Sequence, residues 1–273
     1  MPTAKRVLQS VVPPLLWDAG KDLKRRWSRS VDQFEYVPSG WTLPPGAEAA
    51  ESAKYWQTFL EHERRFVEDL KARVLAGDPI LTPGRHDDPK HIYYAYVLAL
   101  ACRKQQPLAV LDYGGHLGAD YWLGRAFVPG VELHYCCREL ASIAAVGREV
   151  NDAVTWATDD TCFADSYDLV LFAGSLQYVR DWRDVVDRAV AATRRYLFLS
   201  DVFTVRTANS FVARQRAGGR TTLLHQFNRD EIVGAIEAGG LRLVREFSTG
   251  ECPHVLDAPE QPDYCAWLFE RPR

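Results

Sequence analysis

The chain has 273 residues and a mass of 30.9 kDa, enough for one large domain or two small ones with a substantial buried core. Hydrophobic residues make up 47% and charged residues 25%, close to globular averages, which excludes a disordered, collagen-like or low-complexity chain. The net charge is −3 with a pI near 6.2, so no global basic field is present to hold a polyanion, and we predict no nucleic-acid partner.

The cysteines and the apolar runs bear on the compartment. The six cysteines contain no Cys-x-x-Cys pair and no regular spacing, which is typical of reduced thiols in a cytosolic protein. No apolar run approaches the roughly 20 residues that a membrane-spanning helix needs, and none has the order of a secretory signal. We therefore expect a soluble, cytoplasmic protein.

The first 46 residues differ from the rest and predict an amino-terminal arm followed by a linker. Within residues 1–30, seven basic and two acidic side chains accompany a short apolar stretch that includes Trp17. Such a segment can contact an anionic membrane surface or a partner protein, or it can pack on its own domain with its charges solvated. Pro38, Pro44, Pro45 and two glycines then indicate the linker that ends this region at residue 46.

Two helices are predicted next, and together they form a helical cap region over residues 47–107. Apolar residues recur at three- and four-residue spacing from Trp56 to Val74, which predicts a long amphipathic helix that ends at Gly77. The second helix has Asp88 as its N-cap and a proline at its first position, and it runs to about Arg103.

Short apolar runs alternate with helical stretches from residue 108 onward. Strands are predicted over 108–113, 131–137, 154–157, 167–173, 196–200, 241–247 and 264–270, with a helix over 229–238. This alternation predicts an α/β fold: a Rossmann-like, doubly wound, mostly parallel seven-stranded sheet with an antiparallel last strand, plus an N-terminal helical extension. Residues 201–228 are too long for an ordinary connection and predict a substrate-binding or lid insertion within the core of residues 108–273.

A glycine-rich turn follows the first strand of this core. Gly114, Gly115 and Gly118 allow the backbone to approach a ligand at the carboxyl end of the strand, and Asp112 precedes the turn by two residues. The spacing differs from the dinucleotide fingerprint G-x-G-x-x-G, and the absence of a Walker lysine excludes a P-loop. An ordinary tight turn between strand and helix is the alternative interpretation.

Acidic residues follow the next two strands at the same edge of the sheet. Glu139 lies about 20 residues beyond the turn, where a carboxylate can accept both hydroxyls of a ribose. The alternative is a solvated glutamate at a helix N-terminus, stabilised by the helix dipole. Asp159 and Asp160 follow the third strand, where either one can also be only a cap, and small and polar residues, including Ser175, end the fourth strand.

This chain resembles the class I S-adenosylmethionine-dependent methyltransferases, and more narrowly a group of them encoded near surface-polysaccharide biosynthesis loci. The matching segments are 34–41, 111–115, 167–170, 174–178, 181–182, 228–229, 243–247, 250–251 and 258–260, with Phe211, Gln215 and Arg216. His116 departs from the pattern, since a third glycine is more usual there. Asp201 also departs from it, because a basic residue is expected after the fifth strand.

The resemblance implies S-adenosylmethionine as the cofactor. The residues it assigns to cofactor binding are those of the glycine turn, with an acid for the ribose, an acid for the adenine amino group and a serine after the fourth strand. In order along the chain they are Asp112, Gly114, Gly115, His116, Gly118, Glu139, Asp159 or Asp160, and Ser175.

Methyl transfer is an in-line displacement, so the protein must align the acceptor with the methyl group and remove a proton from an acceptor hydroxyl. Histidine is the natural base near neutral pH, and His91 and His225 lie in segments that roof the acceptor pocket in this fold. Tyr178 is a further candidate for the pocket. For each of them, packing is the alternative. Residues 85–88 hold carboxylates near His91, but loop and cap roles account for them, and we predict no metal.

The expected activity is O-methylation of a sugar or another small hydroxylated metabolite. Four arginines in the 201–228 segment predict recognition of a phosphate or carboxylate, for example on a nucleotide sugar. A natural-product methyltransferase is a close alternative. An NAD-type oxidoreductase and a non-catalytic subunit of a glycan-biosynthesis complex, bound through residues 1–30, are the alternatives from other classes.

Overall fold

The computed structural model describes residues 33–42, 53–80, 89–102, 107–217, 220–250 and 252–272. The predicted arm over residues 1–30, residues 43–46 at the end of the predicted linker, and Asp88 as a helix cap lie outside the described residues. Domain boundaries therefore stay a prediction. Within the predicted arm and linker of residues 1–46, Gln33–Tyr36 forms a strand.

The described elements follow the predicted order closely. The helices are α1 (Ala53–Ala76), α2 (Pro89–Ala101), α3 (Ala119–Phe127), α4 (Ala141–Val150), α5 (Trp182–Ala192) and α6 (Arg229–Ala238). The strands are β1 (Gln33–Tyr36), β2 (Leu108–Tyr113), β3 (Leu133–Arg138), β4 (Thr155–Ala157), β5 (Tyr167–Ala173), β6 (Thr193–Val205), β7 (Phe211–Ala217), β8 (Arg220–Asn228), β9 (Arg242–Gly250), β10 (Val255–Leu256) and β11 (Asp263–Glu270).

Seven strands form the main sheet, in the order β4-β3-β2-β5-β6-β11-β9. Strands β2 to β6 pair in parallel, and β11 is antiparallel to both of its neighbours. The prediction of a mostly parallel seven-stranded sheet with an antiparallel last strand is confirmed. The carboxyl ends of β2 to β6 meet at one edge, which is where open sheets of this kind bind ligands.

The main sheet is buried on both faces, because alternate side chains of its strands enter two different cores. Val110 and Leu169 pack with residues of α1 to α4, whereas Leu111 and Val170 pack with residues of α5 and α6. All four side chains are fully buried. A parallel strand buried on both faces has a continuous apolar sequence, and for this reason the sequence predicted these strands accurately.

Strand β6 is longer than predicted and connects the main sheet to a second one. Its first part pairs with β5 as far as Ser200, and its end pairs with β8 at Thr204 and Val205. The second sheet continues in the order β8-β7-β1-β10. The segment over 201–228 therefore consists mainly of strands. The lid prediction missed them because polar and basic side chains occupy the outer positions, while Phe211 and Leu224 alternate into a small core.

A glutamate from the C-terminal part of the chain fixes the turn between β6 and β7. The Glu260 carboxylate accepts hydrogen bonds from the backbone N–H groups of Arg206, Thr207 and Ala208, and one from the Thr207 hydroxyl. These donors lower the pKa of Glu260 to about 2, because each of them stabilises the ionised form. The carboxylate thus closes the turn that starts the second sheet.

The structure bears on membrane-spanning helices and on the state of the cysteines. No helix among the described residues is long and apolar enough to cross a membrane. All six cysteines lie in the described part of the chain, and each is a free thiol.

Candidate functional site

The glycine turn after β2 has a backbone that only glycine adopts easily at two positions. Gly114 and Gly118 have φ angles of 79° and 74°, and His116, with φ 51°, shares the left-handed region. A Cβ on Gly114 would lie 2.5 Å from the Cβ of Ser175, and one on Gly115 would overlap the Asp112 carboxylate. The left-handed backbone at His116 also explains why a third glycine is more usual at this position.

Asp112 lies directly beneath the turn and is completely buried. Its Oδ2 accepts a hydrogen bond of 2.9 Å from the Tyr135 hydroxyl, while Oδ1 has no partner among the described residues. Burial raises the pKa of Asp112 well above its ordinary range, and the neighbouring carboxylates of Asp120 and Glu139 raise it further, against the hydrogen bond from Tyr135. The side chains of Asp112, Asp120 and Glu139 thus form an acidic group around the turn.

Glu139 follows β3, is 6% exposed and faces the same turn. Its Oε1 accepts a hydrogen bond of 3.3 Å from the backbone N–H of His116, and Oε2 accepts one of 2.6 Å from Leu140. The next side chain, Leu140, is 53% exposed, so an acid and a solvent-facing apolar side chain stand together beside the turn. This pair suits a ligand that has vicinal hydroxyls next to an apolar ring.

Asp159 and Asp160 are engaged in local contacts after β4. Asp159 Oδ1 accepts a 3.0 Å hydrogen bond from the backbone N–H of Thr161 and caps a short 3₁₀ helix. Asp160 forms a 3.1 Å ion pair with Arg138 and accepts a hydrogen bond from the Tyr113 hydroxyl. Asp159 therefore has the cap role that the sequence left open, Asp160 is paired with Arg138, and a contact of either one with adenine stays a prediction.

Ser175 connects the ends of the two central strands. Its hydroxyl donates a hydrogen bond to the backbone carbonyl of Tyr113, the last residue of β2. It also lies against Gly114, where a Cβ would collide with it. Ser175 therefore supports the glycine turn from the side of β5.

A cavity of about 460 Å³ opens above this edge of the main sheet. Helices α1 and α2 cover it with Phe59, Glu63, Phe66, His91 and Tyr94. The arrangement follows from helical spacing, since residues three and four apart lie on one face of a helix. The cap region that the sequence predicted thus provides one wall of the cavity.

The opposite wall comes from the turn and from the strand ends. Gly114, Gly115 and His116 line it on the side of β2, and Ser200 and Asp201 line it at β6. The ring of His116 meets the ring of Phe59 edge to face, with 5.5 Å between centroids. Gly114, Gly115 and His116, predicted for the cofactor, and His91, predicted for catalysis, therefore line one cavity.

The other two catalytic candidates lie at the second sheet. The His225 ring lies against Trp41 and Phe227, with centroids 4.5 and 5.3 Å apart, and its Nε2 donates a 3.0 Å hydrogen bond to the carbonyl of Arg180. Burial lowers the pKa of His225. The Tyr178 hydroxyl is hydrogen bonded to the side chain of Gln215. Neither His225 nor Tyr178 is part of the cavity wall described above.

The arginines predicted to recognise an anion also lie at the second sheet. Arg206 pairs with Glu246 at 3.3 Å, and Arg214 and Arg216 pair with Glu35 at 2.6 and 3.4 Å. None of these three side chains lines the cavity among the described residues. Arg214 and Arg216 lie in β7 and Arg206 follows the end of β6, and all three neutralise carboxylates, which explains why they do not form the expected basic lid.

Sequence reasoning missed two acidic residues of the cavity. Glu63 belongs to α1 and Asp120 to the first turn of α3, and each reads as an ordinary solvated side chain of an amphipathic helix. Both side chains face the cavity because α1 packs against α3 and against the glycine turn. The ring contact between Phe59 and His116 is part of this packing. In the sequence, Asp201 differs from the methyltransferase pattern, which has a basic residue after the fifth strand, but nothing there places it in a cavity.

The described residues contain no group of three or more His, Cys, Asp or Glu side chains placed to hold a metal ion. Residues 85–88, the carboxylate-rich stretch noted in the sequence, lie outside the described part of the chain.

Comparison with known proteins gives matches among solved structures only. No family model matches the chain, and no curated protein matches it. Magnesium protoporphyrin IX methyltransferase from Synechocystis PCC 6803, with bound S-adenosylhomocysteine, is 15% identical over 78% of this chain and 99% of that one, with a TM-score of 0.46. The 1,6-didemethyltoxoflavin-N1-methyltransferase of Burkholderia thailandensis is 14% identical over 88% of this chain and 100% of its own, with a TM-score of 0.48. At these values the likeness assigns neither an activity nor a substrate to this chain.

Proposed function

We propose that the protein is an S-adenosylmethionine-dependent methyltransferase whose cofactor lies on the glycine turn after β2. The observation that carries the proposal is the turn itself, where Gly114 and Gly115 leave no room for a Cβ. The buried Asp112 lies beneath this turn, and Glu139 stands beside it. The cavity adjoins the turn and holds His91, so a cofactor site and an acceptor site are contiguous.

The residues present fit this cofactor. The bare backbone of Gly114 and Gly115 would face its methionine end, and the acidic surroundings of the turn favour its sulfonium and ammonium charges. Glu139 would accept the ribose hydroxyls, and the exposed Leu140 would pack on the adenine. When bound, the cofactor supplies an activated methyl group on sulfur.

The chain's own residues would position and deprotonate the acceptor. His91 is 8% exposed and lines the cavity, so its imidazole is sheltered from bulk water while it faces an acceptor. We assign it the role of general base, which takes the proton of an acceptor hydroxyl. The aromatic side chains of the cavity would hold the body of a small molecule and exclude water from the reacting atoms.

The class of acceptor follows from the resemblance described above. It supports O-methylation of a sugar or another small hydroxylated metabolite by a cytoplasmic enzyme. A nucleotide sugar is the least favoured of these acceptors, because three of the four arginines expected to bind its phosphates pair with Glu35 and Glu246 instead.

Thermal unfolding and turnover test the proposal together. S-adenosylhomocysteine at about 100 times its dissociation constant should stabilise the protein by about 2.7 kcal/mol, whereas NADH should leave it unchanged. Incubation with S-adenosylmethionine and a panel of sugars, aminosugars and other small alcohols should yield S-adenosylhomocysteine with at least one acceptor. Stabilisation by NADH and not by S-adenosylhomocysteine would indicate an oxidoreductase. Stabilisation by neither, without turnover, would favour a non-catalytic subunit.

A further inference from the structure

Asp112 is a completely buried carboxyl group with a single hydrogen-bond donor. The Tyr135 hydroxyl donates to its Oδ2 at 2.9 Å, and Oδ1 has no partner among the described residues. Glu139, the acid beside the glycine turn, differs from it, because two backbone N–H groups donate to its carboxylate. Hydrogen bonds are what stabilise a charge that is removed from water. Of these two acids, Asp112 is therefore the one whose negative charge is poorly stabilised.

The uncharged groups that face Asp112 come from three neighbouring elements. Strand β3 contributes the Tyr135 hydroxyl and the Cys137 thiol, and β5 contributes the apolar Leu171, which is opposite Asp112 in the sheet. Helix α2 contributes Tyr94, which is near enough for the Asp112 carboxylate to raise its pKa. Burial is the largest cause that raises the pKa of both phenols and of the Cys137 thiol. All three groups are therefore neutral near pH 7 and supply no positive charge.

The charged side chains that act on Asp112 are acids, among the residues that the structure describes. Burial contributes most to raising the pKa of Asp112, and the carboxylates of Asp120 and Glu139 raise it further. The hydrogen bond from Tyr135 acts in the opposite direction and is weaker than burial. Burial acts independently of the charge on the two neighbouring acids, and an unpaired buried charge costs much more than an unpaired neutral hydroxyl. The environment therefore favours the form of Asp112 that holds a proton.

Asp112 lies against the part of the glycine turn that lines the cavity. A Cβ on Gly115 would be 2.0 Å from Oδ2 of Asp112, and Gly114 and Gly115 both belong to the cavity wall. A ligand charge that rests on this backbone is therefore close to the carboxyl group, in surroundings of low dielectric constant where Coulomb interactions are strong. A cation on the turn stabilises the ionised form of Asp112, and the ionised form in turn stabilises the cation.

We propose that Asp112 holds a proton in the free protein and releases it to solvent when S-adenosylmethionine binds. The proposal rests on the function proposed above and assigns a proton balance to its cofactor site. S-adenosylmethionine has a net positive charge, whereas S-adenosylhomocysteine has none, because its sulfur is neutral. The O–H bond of the carboxyl group breaks, and the proton goes to the buffer. After methyl transfer the sulfonium charge is gone, so Asp112 takes up a proton again and the product is held less tightly.

Thermal unfolding without ligand tests the proton of the free protein. Asp112→Asn has the shape of the protonated carboxyl group and cannot ionise. The pKa of Asp112 is raised in the folded protein above its ordinary value of 3.8, so the unfolded chain loses this proton first, and the wild type loses stability as the pH rises above that value. The unfolding temperature of Asp112→Asn should therefore increase relative to that of the wild type from about pH 4 to neutral pH. A constant difference, or one that changes in favour of the wild type, would overturn the proposal.

The matched control is Asp187→Asn, at an exposed position of α5. Its side chain is in solvent in the folded and in the unfolded chain, so the difference from the wild type should stay constant over the same pH range. A pH dependence in this control equal to that of Asp112→Asn would show a general charge effect and overturn the assignment to Asp112.

Calorimetric titration of S-adenosylmethionine, without an acceptor, measures the proton that is released on binding. The titration is repeated in buffers of different ionisation enthalpy and over a range of pH. Wild type minus Asp112→Asn isolates the aspartate, because all other ionisable groups are shared. This difference should reach at least about half a proton at its maximum between about pH 5 and 8, and it should be smaller with S-adenosylhomocysteine. Equal proton release by the two proteins, or equal release with the two ligands, would overturn the proposal.

Tyr135→Phe provides a test that keeps Asp112 in place, should Asp112→Asn fail to fold. The variant lacks the donor to Oδ2 and so destabilises the ionised form of Asp112. Its proton release should move to higher pH than in the wild type. An unchanged release profile, or a shift to lower pH, would contradict the role of Asp112.

The same measurements separate this proposal from the function on which it rests. Binding of S-adenosylmethionine without proton release from Asp112 overturns this proposal alone. No binding of S-adenosylmethionine, with the pH-dependent difference in unfolding retained, overturns the methyltransferase and leaves a buried, protonated carboxyl group.

Discussion

The main sheet and the second sheet share strand β6, but their polar side chains are used differently. At the edge of the main sheet, Asp112 has a carboxylate oxygen without a partner among the described residues, and Glu139 faces the turn beside the cavity. On the second sheet, Arg214 pairs with Glu35, and Tyr178 is hydrogen bonded to Gln215. The acids of the main sheet lie beneath and beside a glycine turn that lines the cavity, whereas the charged groups of the second sheet neutralise one another and stabilise the fold.

The two histidines predicted for catalysis show the same difference. His91 projects into the cavity from α2, while His225 is held by the carbonyl of Arg180 and by the rings of Trp41 and Phe227. In the sequence, both were favoured equally, because one lies in the helix before the glycine turn and the other in the segment after the fifth strand. The structure places His91 on the wall of the cavity and His225 away from it, packed against two aromatic rings.

The largest effect is expected at the glycine turn. Gly115→Ala places a Cβ against the Asp112 carboxylate and should weaken S-adenosylhomocysteine binding at least about a thousandfold, equivalent to about 4 kcal/mol. Calorimetric titration measures this, with circular dichroism to verify folding. The control Gly234→Ala, in α6, meets no atom within 4 Å and should bind like the wild type. Wild-type affinity in a folded Gly115→Ala protein would show that the ligand does not use the turn.

The two histidines provide a direct test of the comparison. His91→Gln should lower turnover at least about a hundredfold while leaving S-adenosylhomocysteine affinity unchanged, as expected for loss of a general base. His225→Gln should instead lower the free energy of unfolding by about 1–3 kcal/mol, because a packed ring and its hydrogen bond are lost. Turnover and denaturant unfolding are measured for both variants. Loss of turnover in His225→Gln, with only a loss of stability in His91→Gln, would place the catalytic histidine at the second sheet.

A smaller effect is expected at the ribose end of the site. Glu139→Gln keeps one carbonyl oxygen for the His116 backbone but removes the charge, and it should weaken S-adenosylhomocysteine binding about tenfold. The matched control is Glu132→Gln, at an exposed position before β3. Calorimetry on both variants checks the prediction, and an equal loss in both would indicate a general charge effect.

The smallest effect concerns the stability of the second sheet. Glu260→Gln should lower the free energy of unfolding by about 1 kcal/mol at neutral pH, since solvent screens its hydrogen bonds. The pKa of Glu260 is lowered from its ordinary value of 4.5 to about 2, so its stabilisation is complete above pH 4.5 and is lost as the pH falls toward 2. Unfolding curves of wild type and variant should converge over that window. A constant difference would contradict this assignment.

Much of the main sheet could be predicted because its signals are local. The strands over 108–113 and 167–173 and the helix over 229–238 have the predicted bounds. The helix begins where the Asn228 side chain accepts hydrogen bonds from the backbone N–H groups of Asp230 and Glu231. Continuous apolar runs and a capping side chain lie next to the elements they define, so a single sequence contains them.

The second sheet and part of the site depend on distant contacts. Strand β1 pairs with β7, which brings Glu35 next to Arg214 across 179 residues of sequence. Glu63 and Asp201 meet the cavity only when α1 folds over the sheet and β6 bends. A sequence pattern reports spacing along the chain, so it located the glycine turn but not the acids that packing brings to the cavity.

A crystal structure with S-adenosylhomocysteine tests the central claim most directly. The ligand should lie with its methionine end over Gly114 and Gly115 and its ribose hydroxyls within hydrogen-bonding distance of Glu139. Its sulfur should face the cavity that contains His91. The account would be contradicted if the ligand occupied another part of the molecule. It would also be contradicted if crystals prepared with a saturating concentration of S-adenosylhomocysteine held no ligand at the turn.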